Sequence, residues 1–213
     1  MKEIRAILFD VDGTLLNTSE YIYQSFEQTF RVNGFPALTR AEISRVIGLP
    51  LKDCYRVLTG EEGDTIERLA SAHHAFQLEH SGLSIPFPHV PETLARLKEM
   101  GFKLAAVTNR RSKTAGQTLS GAGLDQFLET VVCMDQVEKP KPDPEHLLKA
   151  LEIIGESPTH AVIVGDSHID IEAGKNTGTK TVFVTYGFHA SLPATLVPDA
   201  TIGDIRELPS FLT

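Results

Sequence analysis

Apolar residues along this chain fall into two rhythms. Five short runs, residues 6–9, 103–107, 130–133, 161–164 and 181–184, are almost continuously apolar. Rich in Val, Ile and Leu and without polar alternation, they predict parallel strands covered on both faces. Segments with helical spacing separate the later runs. Residues 91–100 carry proline in the first turn and stop at Gly101, and residues 144–154 begin with proline and run into Gly155. That asymmetry marks helix starts and stops. Residues 112–120 and 169–176 are shorter; the first runs into Gly121 and the second reaches Gly178 one residue later. The alternation predicts an α/β fold, a doubly wound parallel Rossmann-like sheet.

One segment breaks the rhythm. Between the first two strands, from Asp10 to Thr108, lie about a hundred positions, where a simple βαβ unit needs ~30. The surplus reads as helical throughout. Ile22, Phe26 and Phe30 make one apolar stripe, Thr39 and Glu42 have the spacing of a capping box, and residues 64–82 form a long amphipathic run. The proline-bearing stretch Ser84-Ile85-Pro86-Phe87-Pro88 leads back into the alternating part. Residues 16–84 are therefore expected to form an inserted α-helical cap domain. Residues 1–15 and 85–213 are expected to form the core, joined to the cap by two linkers that could hinge.

Composition narrows the partners. With 41% hydrophobic and 23% charged residues over 213 positions, the chain can bury an ordinary globular core. A net charge of -8 argues against nucleic acid or an anionic membrane as partner. It also means that an anionic substrate needs a metal or placed cations. Cys54 and Cys133 have no metal-ligand spacing and are expected as buried apolar residues. No signal-type segment opens the chain, and no apolar run reaches the ~20 residues of a membrane span. The expectation is a cytoplasmic protein, monomer or homodimer.

The candidate chemistry sits at strand ends. Asp10-Val11-Asp12-Gly13-Thr14 directly follows the first apolar run. Carboxylates two positions apart at a strand end project to one side, where open parallel sheets bind ligands. An EF-hand reading fails, because Tyr21 stands where that loop needs Glu and no helix precedes it. Gly165-Asp166-Ser167-His168-Ile169-Asp170 brings two further carboxylates to the same edge. Such a cluster repels itself unless a cation joins it, and oxygen donors suit Mg²⁺. Thr108 and Asn109 end the second strand, and Lys139-Pro140-Lys141-Pro142-Asp143-Pro144 is a stiff loop that could hold a lysine still. His73, His74 and His80 lie in one helical run without a further ligand, which argues against a metal there. His168 is assigned no role.

Taken together, these segments resemble the haloacid dehalogenase superfamily, whose members are mostly phosphatases. The resemblance spans the chain: the D-x-D-G-T segment from Asp10, Thr108, a K-P-x-P lysine, G-D-S-x-x-D from Gly165, and a helical insertion after the first motif. Leu16-Asn17-Thr18, Ile47-Gly48-Leu49-Pro50-Leu51 and Gly123-Leu124-Asp125-Gln126 resemble its phosphoglycolate phosphatase and pyrophosphatase branch. The resemblance implies a phosphatase acting on a small phosphorylated substrate through an aspartyl-phosphate on Asp10. It implies Asp12 as acid and base, Thr108, Asn109 and a lysine around the phosphoryl group, and Mg²⁺ held by Asp10, Asp12, Asp166 and Asp170. Lys139 and Lys141 both begin a K-P-x-P, and the distance to Gly155 favours Lys141. Arg45 and Lys52, flanking the turn at Gly48, are expected to meet an anionic leaving group. A phosphosugar mutase and, more remotely, a phospho-receiver domain are the alternatives.

Overall fold

The computed structural model describes residues 3–189 and 191–212. Eight strands and nine α-helices follow one another along these residues. In chain order they are β1 (Ala6–Phe9), β2 (Leu16–Asn17), α1 (Ser19–Val32), α2 (Arg40–Ser44), α3 (Leu51–Thr59), α4 (Asp64–Glu79), β3 (Ile85–Pro86), α5 (Val90–Glu99), β4 (Lys103–Thr108), α6 (Ser112–Gly121), β5 (Thr130–Cys133), α7 (Glu145–Ile154), β6 (Ala161–Gly165), α8 (His168–Thr177), β7 (Lys180–Val184), β8 (Ala200–Ile202) and α9 (Leu208–Leu212).

Six strands form one parallel sheet in the order β5-β4-β1-β6-β7-β8. Their alternate residues feed two cores. Ile7, Phe9, Leu104, Val162 and Val164 pack on one face with Leu94 and Leu97 of α5. Ala6, Leu8, Ala105, Val107 and Ile163 pack on the other with Leu147, Ala150 and Leu151 of α7. Burial on both sides is why the strand runs read as apolar without alternation.

The order places β4, β1 and β6 side by side at the centre. The chain leaves β1 for β4 on one flank and later returns to β6 on the other. Such a switch opens a crevice beyond the carboxyl ends of the strands. All three ends carry chemistry: Asp10 after β1, Thr108 closing β4 and Asp166 after β6.

The sheet has one strand more than the sequence reading predicted. In β8 only Ile202 is buried, so this edge strand carries no apolar run to read. The long insertion holds helices α1–α4 around a cluster of its own, with Phe26, Phe30, Ile43, Val46, Cys54, Tyr55, Ile66 and Leu69 buried together. The Thr39–Glu42 capping box opens α2 as its spacing predicts. Where the insertion meets the sheet, β2 and β3 pair antiparallel, Leu16 against Pro86 and Asn17 against Ile85. Both cysteines are free and buried. No helix among the described residues is long and apolar enough to cross a membrane.

Helix α8 lies so close to the sheet that a Cβ at Gly174 would collide with methyl groups of Ile163 and Thr181. Gly174→Ala should therefore destabilise the fold, although Ala is the better helix former by ~1 kcal/mol. Overpacking costs about 1–3 kcal/mol, so urea unfolding should show a lower midpoint. An unchanged or raised midpoint would contradict this packing.

Candidate active site

Three buried carboxylates, from Asp10, Asp166 and Asp170, offer oxygens that lie within 4.8 Å of one another. Asp10 sits just past β1, held by its N–H donating to the Val164 carbonyl at 2.9 Å. Burial lifts the Asp10 pKa well above the usual carboxylate range; Lys141 opposes that shift, and the charges of Asp170, Asp166 and Asp12 add to it. Asp166 is walled in by glycine: a Cβ at Gly13, whose φ is +87°, or at Gly187 would run into its carboxylate. Its Oδ2 accepts the Phe188 N–H at 2.7 Å, and His189 Nδ1 stands 3.6 Å away.

Lys141 answers this negative charge. Its Nζ donates to Asp10 Oδ1 at 2.7 Å, Asp170 Oδ1 at 2.7 Å and the Val107 carbonyl at 2.8 Å, so all three N–H groups are used. Burial alone would lower its pKa, but Asp10 and Asp170 outweigh burial and raise it, so Lys141 stays charged. Asp170 is committed on both oxygens, because Oδ2 accepts the Ser167 N–H at 3.1 Å and the Ser167 hydroxyl at 2.6 Å in the capping box of α8. It therefore orients Lys141 and caps the helix, while the hydrogen bonds found among the described residues engage one oxygen each of Asp10 and Asp166. Lys139, by contrast, is exposed.

Asp12 turns its carboxylate away from the cluster. Its Oδ1 accepts the Thr18 hydroxyl at 2.6 Å and an Arg110 Nη1–H at 3.3 Å. A metal contact from Asp12 would fall to its main-chain carbonyl. Thr108 is buried, and its Oγ1 accepts the Arg110 N–H at 3.2 Å, leaving the hydroxyl hydrogen to donate elsewhere. Asn109 spends its side chain on protein partners. Nδ2 donates to the Gly48 carbonyl at 3.0 Å and the Lys141 carbonyl at 3.2 Å, and Oδ1 accepts the Lys141 N–H at 3.1 Å. The amide thus ties the lysine's peptide to the insertion.

The cleft over these groups has an empty volume of about 880 Å³, open solvent included. Ile22, Phe26, Ile47, Leu49 and Leu51 of the insertion give it an apolar roof. Arg45 and Lys52 do not line it: Arg45 is exposed, and Lys52 pairs with Glu67. The loop turns its apolar side chains inward and its charges outward, contrary to the sequence expectation. His73 is buried, with Tyr55 Oη 2.7 Å from Nδ1, and among the described residues no histidine joins a group of potential metal ligands. Arg110 and His189 have no part in the expectation drawn from the sequence, and Tyr21 enters it only as the residue that excludes an EF-hand. Only Arg110 carried a signal there, as a cation directly after the strand-end Thr108-Asn109.

The donors in the carboxylate cluster are all oxygen, with no sulfur or imidazole among them, which suits a hard divalent cation. The haloacid dehalogenase-like hydrolase profile matches residues 7–184. The chain belongs to that family. It is 40% identical over 184 residues to the pyrophosphatase PpaX of Halalkalibacterium halodurans, covering 86% of this chain and 85% of that protein. It is 37% identical to PpaX of Anoxybacillus flavithermus, covering 98% and 97% respectively. Among solved structures, a predicted phosphoglycolate phosphatase from Haemophilus somnus superposes with a TM-score of 0.92 at 24% identity, over all of both chains. As a haloacid dehalogenase-like hydrolase, the chain is an enzyme whose strand-end carboxylates form its candidate active site.

In the metal-free protein, Lys141→Met leaves Asp10 and Asp170 buried without a counter-charge, which costs about 3 kcal/mol or more. Lys139→Met should stay within ~0.5 kcal/mol of the unsubstituted protein, as exposed substitutions do. Urea unfolding in the presence of chelator compares the two, and equal effects would contradict the role given to Lys141.

Proposed function

We propose that this hydrolase releases phosphate from inorganic pyrophosphate or a small phosphorylated metabolite through an aspartyl-phosphate on Asp10. The observation that carries the reading is the strand-end set of Asp10, Lys141 and Asp166, with Thr108 and Asp12 on either side. The names of the PpaX relatives favour pyrophosphate as substrate and water as final acceptor.

In the first step an Asp10 oxygen attacks phosphorus, and the bond to the leaving oxygen breaks on the opposite side. Lys141 holds Asp10 and neutralises charge on the transferring group, and Thr108 donates its hydroxyl to a phosphoryl oxygen. Asp12 gives its proton to the leaving oxygen. In the second step water attacks the same phosphorus, Asp12 takes the water's proton, and Asp10 is released with free phosphate. Mg²⁺ would be held by Asp10, Asp166 and the Asp12 carbonyl, where it offsets repulsion between carboxylate and substrate. Residues 16–84 act as the cap over a core of 1–15 and 85–213, and their apolar roof excludes water from the first step. The β2–β3 pair is where such a cap would hinge.

Asp10→Asn should abolish phosphate release, because an amide cannot form the acyl-phosphate. Asp12→Asn should slow it by about 10²–10⁴-fold, the worth of acid–base help. Wild-type rates in Asp10→Asn would end the covalent reading. Chelation with EDTA should remove activity and added Mg²⁺ restore it, with Asp166→Ala needing more Mg²⁺ for half-activity. Full activity in the chelated enzyme would refute the metal's part.

A further inference from the structure

Arg110 is the cation paired with Asp12, its Nη1 standing 3.3 Å from Oδ1. Lys141 cannot serve there, since its three N–H groups are spent on Asp10, Asp170 and the Val107 carbonyl. Arg45 and Lys52 lie off the cleft; Arg110 and the exposed Arg111 both line it, and of these two Arg110 is the one that pairs with Asp12.

Its guanidinium is fixed from several sides. Nη1 donates to Asp12 Oδ1 at 3.3 Å and to Thr118 Oγ1 at 3.2 Å, and Nη2 donates to Tyr21 Oη at 2.9 Å. The Arg110 Cζ stands 4.9 Å from the centroid of the Tyr21 ring. Tyr21 is itself anchored, donating its hydroxyl to the Gln77 carbonyl at 3.0 Å. Arg110 therefore bridges the strand-end loop to α1, and through Tyr21 to α4.

Two features make this arrangement more than a structural tie. First, both donors to Asp12, Thr18 and Arg110, fall on Oδ1. That fixes the carboxyl group and leaves Oδ2 to meet the leaving oxygen. Second, Arg110 has spare capacity. The named contacts use three of the five N–H groups of a guanidinium; Nε is enclosed by protein without a partner, so the N–H left for a ligand in the cleft is the second one of Nη2. A guanidinium hydrogen bond to a phosphate or carboxylate oxygen is charge-assisted, so a single free N–H beside Asp12 is enough to favour an anion there.

We propose that Arg110 is the specificity-determining residue of this hydrolase. It binds the anionic part of the leaving group, a phosphate or carboxylate close to the scissile bond, while holding Asp12 toward the leaving oxygen. The substrate class follows: small phosphate compounds whose leaving group carries its own negative charge, such as pyrophosphate or a phosphorylated hydroxy acid. This rests on the phosphatase reading and extends it to the leaving group.

The test compares kcat and KM of the wild type, Arg110→Lys and Arg110→Gln on pyrophosphate, phosphoglycolate and p-nitrophenyl phosphate. The last has a leaving group without a separate anion that departs with little need for a proton. Arg110→Gln should lower kcat/KM by about 10–100-fold on the first two, the worth of a charge-assisted contact. The loss on p-nitrophenyl phosphate should be much smaller, and Arg110→Lys should fall between wild type and Arg110→Gln. Equal losses on all three substrates, or none, would overturn the proposal while leaving the phosphatase reading intact. Equal losses from Arg110→Lys and Arg110→Gln on the anionic leaving groups alone would still support it, because an ammonium cannot keep the contacts to Asp12, Thr118 and Tyr21 that hold the cation in place. Wild-type protein that releases phosphate from none of the three would overturn the phosphatase reading, and this proposal with it.

Discussion

The ammonium group of Lys141 sits where carboxylates from two separate segments would otherwise repel one another inside the protein. Asp10 comes from the end of β1 and Asp170 from the first turn of α8, and the Val107 carbonyl beneath the lysine belongs to β4. A buried charge without partners is among the costliest defects a fold can carry. Here each N–H of the lysine has an acceptor, so one side chain fixes the relative position of three parts of the sheet edge. The central placement of β4, β1 and β6 makes that possible, and Asn109 holds the lysine's own peptide in place. The remaining deficit of positive charge at Asp10 and Asp166 is one that a divalent cation would offset.

Asp12 answers to a different environment two residues away. Thr18, at the start of α1, and Arg110 hold it, and Arg110 leans on Tyr21 of the same helix. One strand end thus points its two carboxylates into separate networks, one tied to the sheet and the other to the helical insertion. Asp10 keeps company with a fixed ammonium, which suits the nucleophile's part proposed for it. Asp12 depends on Thr18 of the insertion and on Arg110, which follows β4 but rests on Tyr21 of the insertion, so its placement is coupled to how the insertion sits. The Asn109–Gly48 contact adds a second tie between Lys141 and the insertion.

Much of this was legible in the sequence because it is local. Strands buried on both faces leave continuous apolar runs, and carboxylates at strand ends leave short motifs. The edge strand β8 buries only Ile202, and β2 and β3 are two residues each, so none of them leaves a pattern. Lys139 and Lys141 look alike locally, and only burial against Asp10 tells them apart. The direction of the loop from Arg45 to Lys52 was hidden for the same reason. Amphipathic spacing does not say that Ile47 and Leu49 face the cleft while Lys52 reaches Glu67. The Arg110–Tyr21 pair joins residues from different parts of the chain, which no local pattern encodes.

The central claim is that phosphorus is attacked twice, first by Asp10 and then by water. The stereochemical course at phosphorus measures this directly, using a substrate whose transferred phosphoryl group is made chiral with sulfur and oxygen isotopes. Two in-line displacements predict net retention of configuration in the released thiophosphate. Inversion would mean that water attacks the substrate directly, and would contradict the account.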